Sequence, residues 1–217
     1  MSRRTILVAF VAMAPASAVA SPCCGPISAD GVRLREFLDN SGVDHLWLRD
    51  YAVDWKTGET IAAYGNTSAN PHTHCSAFAA SAVMRLGVYI LRPPEHTVSL
   101  LANAQMAWLS APDGVAHGWQ PVADVTTAQT RANQGDLVVA SFQNPLPVEA
   151  GHIAIVRPSA ISAERLLEDG PYVTQAGAHN HISVALKYGF AGHKGAWLPG
   201  GGGAVRFFAH SVDWTAV

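Results

Sequence analysis

The chain has 217 residues, of which 49% are hydrophobic and 14% are charged, and its formal net charge is −2. This length and apolar content suit one globular domain with a substantial buried core. The balanced charge excludes the strongly basic field on which nucleic-acid binding depends, so we expect no nucleic-acid partner.

Residues 1–20 have the pattern of an export signal. Ser2-Arg3-Arg4 is basic, residues 6–13 are apolar, and Ala18-Val19-Ala20 offers small side chains for cleavage. The apolar run is too short for a stable membrane-spanning helix, and the paired arginines resemble a twin-arginine signal. We therefore expect cleavage after Ala20, a periplasmic or secreted mature protein, and no stable membrane insertion.

The three cysteines have to be considered in that oxidising setting. Cys23 and Cys24 are adjacent and can pair with each other, with another chain or with nothing. A bridge from either of them to Cys75 would remove the thiol there. Because the count is odd, at least one thiol is left over, and we expect it to be Cys75. A lipid anchor on Cys23 is less expected, because Pro22 precedes it where a small residue is usual.

The first elements after the signal are a helix and an aromatic segment. Residues 28–41 have apolar side chains at helical spacing, which predicts a helix ending near Asn40-Ser41-Gly42. Residues 43–64 predict a short strand, a turn at Lys56-Thr57-Gly58-Glu59 and a lead into the next helix. Aromatic side chains at the density of this segment are typical of a core, although they also line peptide and sugar grooves.

Residues 76–86 carry small and apolar side chains at helical spacing, with Gly87 at the position just past the C-terminus. Asn70-Pro71 marks a turn before this helix, so Cys75 falls in its first turn. Free amide N–H groups and the helix dipole favour a thiolate there, and we expect the pKa of Cys75 to fall from about 8.5 toward neutrality. Such a thiol attacks carbonyl groups. The alternative is a buried structural cysteine.

The pattern changes from helical to extended in the second half of the chain. Residues 99–109 predict a helix, Ala111-Pro112-Asp113-Gly114 a turn, and residues 122–131 a short helix or an extended linker. Apolar runs rich in β-branched residues then predict four strands, at residues 136–142, 151–157, 172–177 and 205–208. Helices followed by a meandering antiparallel sheet make an α+β domain, and no linker divides residues 21–217.

A partner for the thiol stands at the start of the second predicted strand. His152 follows Gly151 directly, and if the helix of Cys75 packs on that face, the imidazole takes the thiol proton and returns it to the leaving amine. Gln175, on the neighbouring strand, would hold the imidazole in one tautomer. The alternatives are a structural histidine and an ordinary strand glutamine.

Short motifs around these residues resemble those of the NlpC-type cell-wall cysteine peptidases. Tyr64-Gly65-Asn66-Thr67-Ser68 and His74-Cys75-Ser76-Ala77-Phe78 are similar to the family's aromatic-Gly-Gly lead-in and its Asp-Cys-Ser-Gly-Phe motif. Gly135-Asp136-Leu137-Val138 and Gly151-His152-Ile153-Ala154-Ile155-Val156 resemble its Gly-Asp-Leu and Gly/Ser-His-Val strands. Gln175 falls where the family has its third polar residue. The related CHAP amidases share the order cysteine, histidine, polar residue.

The resemblance covers about residues 60–180 and implies a papain-like α+β fold with N-terminal helices packed on an antiparallel sheet. It implies hydrolysis of amide bonds in peptidoglycan stem peptides through a thioester acyl-enzyme, without a cofactor. Three residues are assigned catalytic roles: Cys75, His152 and Gln175. Three flanking side chains are expected to contact the substrate: Tyr64, His74 and Ser76.

The sequence also departs from the family pattern. His74 stands where the family has aspartate, and Ala77 where it has glycine. The gap between Cys75 and His152 is long, so we interpret residues 88–130 as an insertion that forms one wall of the cleft. The bond cleaved is left open, as are acyl transfer to an amine or alcohol and an inhibitor or immunity protein as partner.

Two other functions fit parts of the sequence. His72, His74 and Cys75 cluster, His179 and His181 form a close pair, and such donors suit zinc. However, His-x-His-Cys fits no zinc-finger spacing and no His-Glu-x-x-His helix accompanies it, so we predict no metal site. The second alternative is a non-catalytic module that binds a muropeptide or another acyl ligand on the same fold.

Overall fold

Antiparallel strands form the centre of the fold. In a computed structural model, residues 22–64 and 72–217 are described, and they contain eight strands. These strands are, in chain order, β1 (Tyr51–Val53), β2 (Thr60–Ala63), β3 (Gln120–Val122), β4 (Leu137–Phe142), β5 (His152–Val156), β6 (Tyr172–Gln175), β7 (His181–Ala185) and β8 (Arg206–His210). β1 and β2 pair with each other, and the other six form one antiparallel sheet in the order β3-β8-β4-β5-β6-β7.

Helices lie on both faces of the larger sheet. The described residues form seven: α1 (Ala29–Asp39), α2 (Cys75–Arg85), α3 (Leu101–Leu109), α4 (Pro112–Ala116), α5 (Val125–Asn133), α6 (Ala163–Asp169) and α7 (Leu186–Gly189). The mixed α+β class expected from the sequence is therefore confirmed. None of these helices combines the length and the apolar content that a membrane-spanning helix needs.

The four predicted strands are present as β4, β5, β6 and β8, and they lie side by side in the order β8-β4-β5-β6. β3 and β7 were not predicted and form the two edges of the sheet. β3 contains Pro121, which has no N–H to donate and is tolerated in an edge strand. Edge strands need only one apolar face or none, so their sequences show a weaker apolar pattern from which a strand can be predicted.

The helices differ from expectation at two places, and at a third they resolve an open alternative. The turn predicted from Ala111 is wrong, because Pro112 begins α4, where its fixed φ suits the first helical turn. The segment left open as helix or linker is helical as α5, with Asp124 accepting the N–H of Thr127 at its start. α6 and α7 lie between strands, so helices do not all precede the sheet.

The sheet separates two apolar clusters, and β5 contributes to both. Ile153 and Ile155 pack with residues of α1, α2 and α3 on one face, which we call the α2 face. Ala154 and Val156 pack with residues of α5, α6 and α7 on the opposite face. Successive side chains of a strand point to opposite faces, which produces this division. Small side chains along α2 allow this helix to lie close to the sheet.

Residues 88–130, interpreted above as an insertion, form α3, α4, β3 and part of α5. α3 packs against α2 and β4, so this region contributes to the core of the α2 face. The predicted signal in residues 1–20 and the motif residues Gly65-Asn66-Thr67-Ser68 lie outside the described residues.

Candidate active site

Cys75 is the first residue of α2 and carries the unpaired thiol of the chain. Cys23 and Cys24 form a disulfide with each other, which confirms that Cys75 is the cysteine left over. The side chain of Cys75 is 5% exposed and lies in the apolar cluster of the α2 face. Two surface pockets, of about 360 and 470 Å³, are lined by other parts of the chain.

The lowered thiol pKa expected from the helix start is wrong. Burial raises the pKa of Cys75, because a thiolate would lose its hydration there. The backbone N–H of Ile153, and then those of Ser76 and Cys75 itself, act in the opposite direction but are outweighed. In this conformation the thiol is therefore protonated at neutral pH.

His152 is the first residue of β5, is buried, and is held by Gln175. Its Nε2 lies 2.9 Å from Oε1 of Gln175, and Nε2 of Gln175 lies 3.3 Å from the carbonyl oxygen of Gly189. The Gly189 carbonyl requires a donor, so it directs the amide nitrogen of Gln175 to itself and the amide oxygen to the imidazole. The Nε2–H of His152 therefore donates to Gln175, and Nδ1 keeps its lone pair for accepting a proton.

The imidazole of His152 is also neutral at rest. Burial lowers the pKa of His152 to about 4, and the hydrogen bond that His152 donates to Gln175 offsets only part of this effect. With the thiol pKa raised and the imidazole pKa lowered, the resting pair is a neutral thiol and a neutral imidazole. It is not the ion pair that a low-pKa cysteine would form with histidine.

Cys75 and His152 approach the start of β5 from two sides. The backbone N–H of Ile153, the residue after His152, lies close enough to Sγ of Cys75 to lower the thiol pKa. The His152 ring contacts Phe190 of the opposite cluster, at 4.5 Å between ring centroids. Ile153 lies in the apolar cluster of α2, and alternation along the strand directs the His152 ring toward the opposite cluster. No hydrogen bond between described atoms joins this thiol and this imidazole.

The neighbouring strand is irregular beside this point. The pairing of β6 with β7 shifts register between Val173 and Gln175. β5 pairs with β6 at Ile155 and Val156, so the start of β5 lies beyond these registered pairs. Irregularities of this kind re-aim side chains, and Gln175, directly after the shift, is the residue that reaches the imidazole.

The three predicted substrate contacts lie in different environments. His74 is buried, donates Nε2–H to the carbonyl of Tyr51 at 2.8 Å, and has a pKa lowered by burial, so it ties β1 to the start of α2. Ser76 is buried, and its carbonyl accepts a hydrogen bond from Nε2 of Gln105. Tyr64 is 41% exposed and stacks on His72 at 3.9 Å, which makes it the most accessible of the three.

α3 holds the loop that precedes β5. Nδ2 of Asn103 donates to the carbonyl of Glu149 at 2.8 Å, and its Oδ1 accepts the N–H of Asn144 at 3.0 Å. This loop presents the exposed aliphatic side chains of Leu146 and Val148 near the start of β5. The region interpreted as an insertion thus fixes the chain that leads to His152.

His193 is a residue near this site that the sequence analysis missed. It lies in the loop between α7 and β8, and its ring stacks on that of His152 with 5.3 Å between centroids and 22° between planes. Its other aromatic contact at short range is Phe142, at 5.2 Å. Gly192 and Gly195 beside it indicate a loop, but nothing in a local pattern shows that this loop returns to β5.

The histidines considered for zinc have other contacts. Within residues 22–64 and 72–217, no group of three or more histidine, cysteine, aspartate or glutamate side chains is arranged to hold a metal ion. His72 stacks on Tyr64, and His74 bonds the backbone of β1. The rings of His179 and His181 lie 6.5 Å apart, and burial, followed by the charge of His179, lowers the pKa of His181.

No protein-family model and no curated protein sequence matches the chain. Any function assigned to the chain therefore depends on the residues around Cys75 and His152.

Proposed function

We propose that the protein is an exported, papain-like cysteine hydrolase that cleaves amide bonds in peptidoglycan stem peptides. Cys75 is its nucleophile, His152 its base, and Gln175 the residue that orients the base. One observation carries the proposal: the unpaired thiol of Cys75 is near enough to the Ile153 amide for that amide to lower its pKa, and the preceding residue is a histidine whose Nε2–H is held by a glutamine. The similarity of the motifs to NlpC-type and CHAP enzymes supports the substrate class.

The resting protonation states of Cys75 and His152 determine which proton transfer catalysis requires. Thiol and imidazole are both neutral, so the Sγ proton has to pass to Nδ1 of His152 as Sγ attacks the carbonyl carbon. Catalytic hydrogen bonds often form fully only when substrate is bound, and the proposal requires that Nδ1 reach Sγ in that complex. The hydrogen bond from Nε2–H to Gln175 keeps Nδ1 as the accepting atom throughout.

The reaction then proceeds through two acyl transfers. The new Sγ–C bond forms, the C–N bond breaks, and His152 returns the proton to the departing amine. Water, deprotonated by the same imidazole, attacks the thioester and releases a carboxylate and the free thiol. The start of α2 suits the developing oxyanion, because His74 precedes the helix without a side-chain cap and leaves first-turn N–H groups to donate.

Two features support an exported protein. The pairing of Cys23 with Cys24 fits an oxidising compartment. The basic and apolar pattern of residues 1–20, with small residues before position 21, fits a cleaved signal.

Digestion of purified peptidoglycan, with products read by mass, tests the proposal. We expect Cys75→Ala and His152→Ala to reduce turnover by about a thousandfold or more while circular dichroism is unchanged. His45→Ala, at an exposed histidine, is the matched control and should retain activity. Cleavage by Cys75→Ala at the wild-type rate would refute the proposal. Products capped by an amine or alcohol, instead of a new carboxylate, identify an acyltransferase.

A non-catalytic binding module is the second candidate, and the burial and raised pKa of the Cys75 thiol favour it. Acid quenching of a mixture with muropeptide, followed by mass spectrometry, separates the two. A hydrolase accumulates an acyl adduct on Cys75 that Cys75→Ala lacks. A binding module forms no adduct, and its thiol reacts with iodoacetamide only as the pH approaches its raised pKa.

A further inference from the structure

His193 is held in place from both sides although it lies in a glycine-flanked loop. Its N–H donates to the carbonyl of Phe190 at 2.9 Å, and its own carbonyl accepts the N–H of Ala196 at 3.0 Å. These two bonds fix the backbone where the chain leaves α7. The backbone position from which the imidazole of His193 extends is therefore determined by the fold.

The imidazole of His193 completes an enclosure around His152. Phe190 meets the His152 ring edge to face at 4.5 Å, Gln175 holds Nε2, and His193 covers a face of the ring at 5.3 Å. His152 is 5% exposed, whereas His193 is only partly buried. His193 is thus the partly exposed member of this enclosure.

We propose that His193 is a positioning residue for His152: its imidazole covers the ring, excludes water from it and keeps it on Gln175. The catalytic consequence rests on the proposed function. The physical effect on His152 does not, and it can be measured without substrate.

The charges around His152 agree with this role. Burial lowers the pKa of His193 to about 4, as it does that of His152, and the charge of His152 lowers the pKa of His193 further. Gln175 of β6, Phe190 directly after α7 and Phe142 of β4 bring no charge, and the Cys75 thiol of α2 is neutral. Burial is what keeps His152 as the free base, and the repulsion between the two adjacent imidazoles acts on the pKa of His193. A proton taken from the thiol then passes readily to the leaving amine.

Proton NMR titration of the histidine ring signals tests the proposal directly. The His152 signal is assigned by its loss in His152→Gln, and its midpoint is compared in wild type, His193→Ala and His193→Phe. We expect a wild-type midpoint near pH 4. His193→Ala admits water and should raise the midpoint by more than about one pH unit toward the ordinary value of about 6.5. His193→Phe retains an apolar ring and should stay near wild type.

Two results would overturn the role of His193. One is an unchanged His152 midpoint in folded His193→Ala, and the other is a rise in His193→Phe as large as in His193→Ala. If circular dichroism shows that His193→Ala does not fold, His193→Gln, which also lacks the ring, takes its place with the same expected rise.

Activity measurements separate this inference from the proposed function. In a hydrolase, the acid limb of kcat/KM follows the His152 midpoint, so a midpoint near 6 lowers activity at pH 5 about tenfold and leaves it unchanged at pH 8. If the His152 midpoint rises in His193→Ala but the wild-type protein leaves peptidoglycan intact, the hydrolase proposal is contradicted and the positioning role of His193 is supported. If the wild-type protein cleaves peptidoglycan but the His152 midpoint is unchanged in His193→Ala, the hydrolase proposal is supported and the positioning role of His193 is contradicted.

Discussion

The two faces of β5 offer different surroundings to the two reactive side chains. On the α2 face, Cys75 lies among small apolar residues, and the groups that lower its thiol pKa are backbone N–H groups. On the opposite face, His152 is hydrogen-bonded to Gln175, meets Phe190 edge to face and stacks on His193. Each group is kept neutral by its own surroundings, so any reactivity has to arise where the two faces meet, at the start of the strand.

The comparison also shows when a helix start activates a cysteine. The N–H groups at the start of α2 do stabilise a thiolate at Cys75, yet the pKa still rises because desolvation is larger. Helix position alone therefore does not make a reactive thiol. An open first turn, which water or substrate can reach, is needed as well.

The α2 face depends on packing, so a large cavity there should have the largest effect on stability. Phe78 is 1% exposed and meets Trp47 edge to face at 5.2 Å. We expect Phe78→Ala to lower the free energy of unfolding by about 3–5 kcal/mol, measured by urea denaturation. Tyr188→Ala, at a residue that is 61% exposed, is the control and should cost less than about 1 kcal/mol. Equal losses would show that α2 is not central to this core.

Much of the fold follows from local patterns. Runs of β-branched residues located β4, β5, β6 and β8, and apolar periodicity located α1 and α2. β7 and α6 lack such patterns, because β7 lies at an edge and α6 is short. Their places are decided by what they pack against.

The site could be predicted in part. Gln175 and His152 were expected to lie together because neighbouring antiparallel strands bring their ends into contact, and their hydrogen bond is present. The face on which α2 packs was not predictable, since alternation defines two faces without saying which one a helix covers. The predicted lowering of the Cys75 pKa was wrong for a related reason, because the burial that raises this pKa depends on how α2 packs against the sheet. The contact of His193 with His152 was not predictable either, because it forms only when a loop distant in sequence folds back to β5.

On the opposite face, the imidazole should make stability depend on pH. The pKa of His152 is about 4 in the folded protein and about 6.5 when unfolded, so the unfolded state binds a proton first as the pH falls. The free energy of unfolding is therefore highest above pH 6.5, and protonation of this side chain in the unfolded state lowers it by about 3 kcal/mol between pH 6.5 and pH 4. Urea denaturation between pH 7 and pH 4 measures this loss.

Matched variants isolate the contribution of His152 from those of the carboxylates and of His193, whose pKa is also lowered to about 4. His152→Gln should lose less stability over this range than wild type, whereas His45→Gln, at an exposed histidine, should follow wild type. Parallel curves for wild type and His152→Gln would mean that the imidazole is not buried as a neutral group.

The smallest effect on stability is expected from removing Gln175, the residue that holds the His152 imidazole in one tautomer. Gln175→Ala removes the acceptor of the His152 Nε2–H and the donor to Gly189, which should cost about 1–3 kcal/mol of unfolding free energy because buried polar groups lose their partners. Turnover should fall less than in Cys75→Ala, since the glutamine only orients the base. Gln134→Ala, at an exposed glutamine, is the matched control and should change stability by less than about 0.5 kcal/mol. Indistinguishable results for the two variants would show that His152 keeps its position without the amide, and the orienting role would then belong to the aromatic rings.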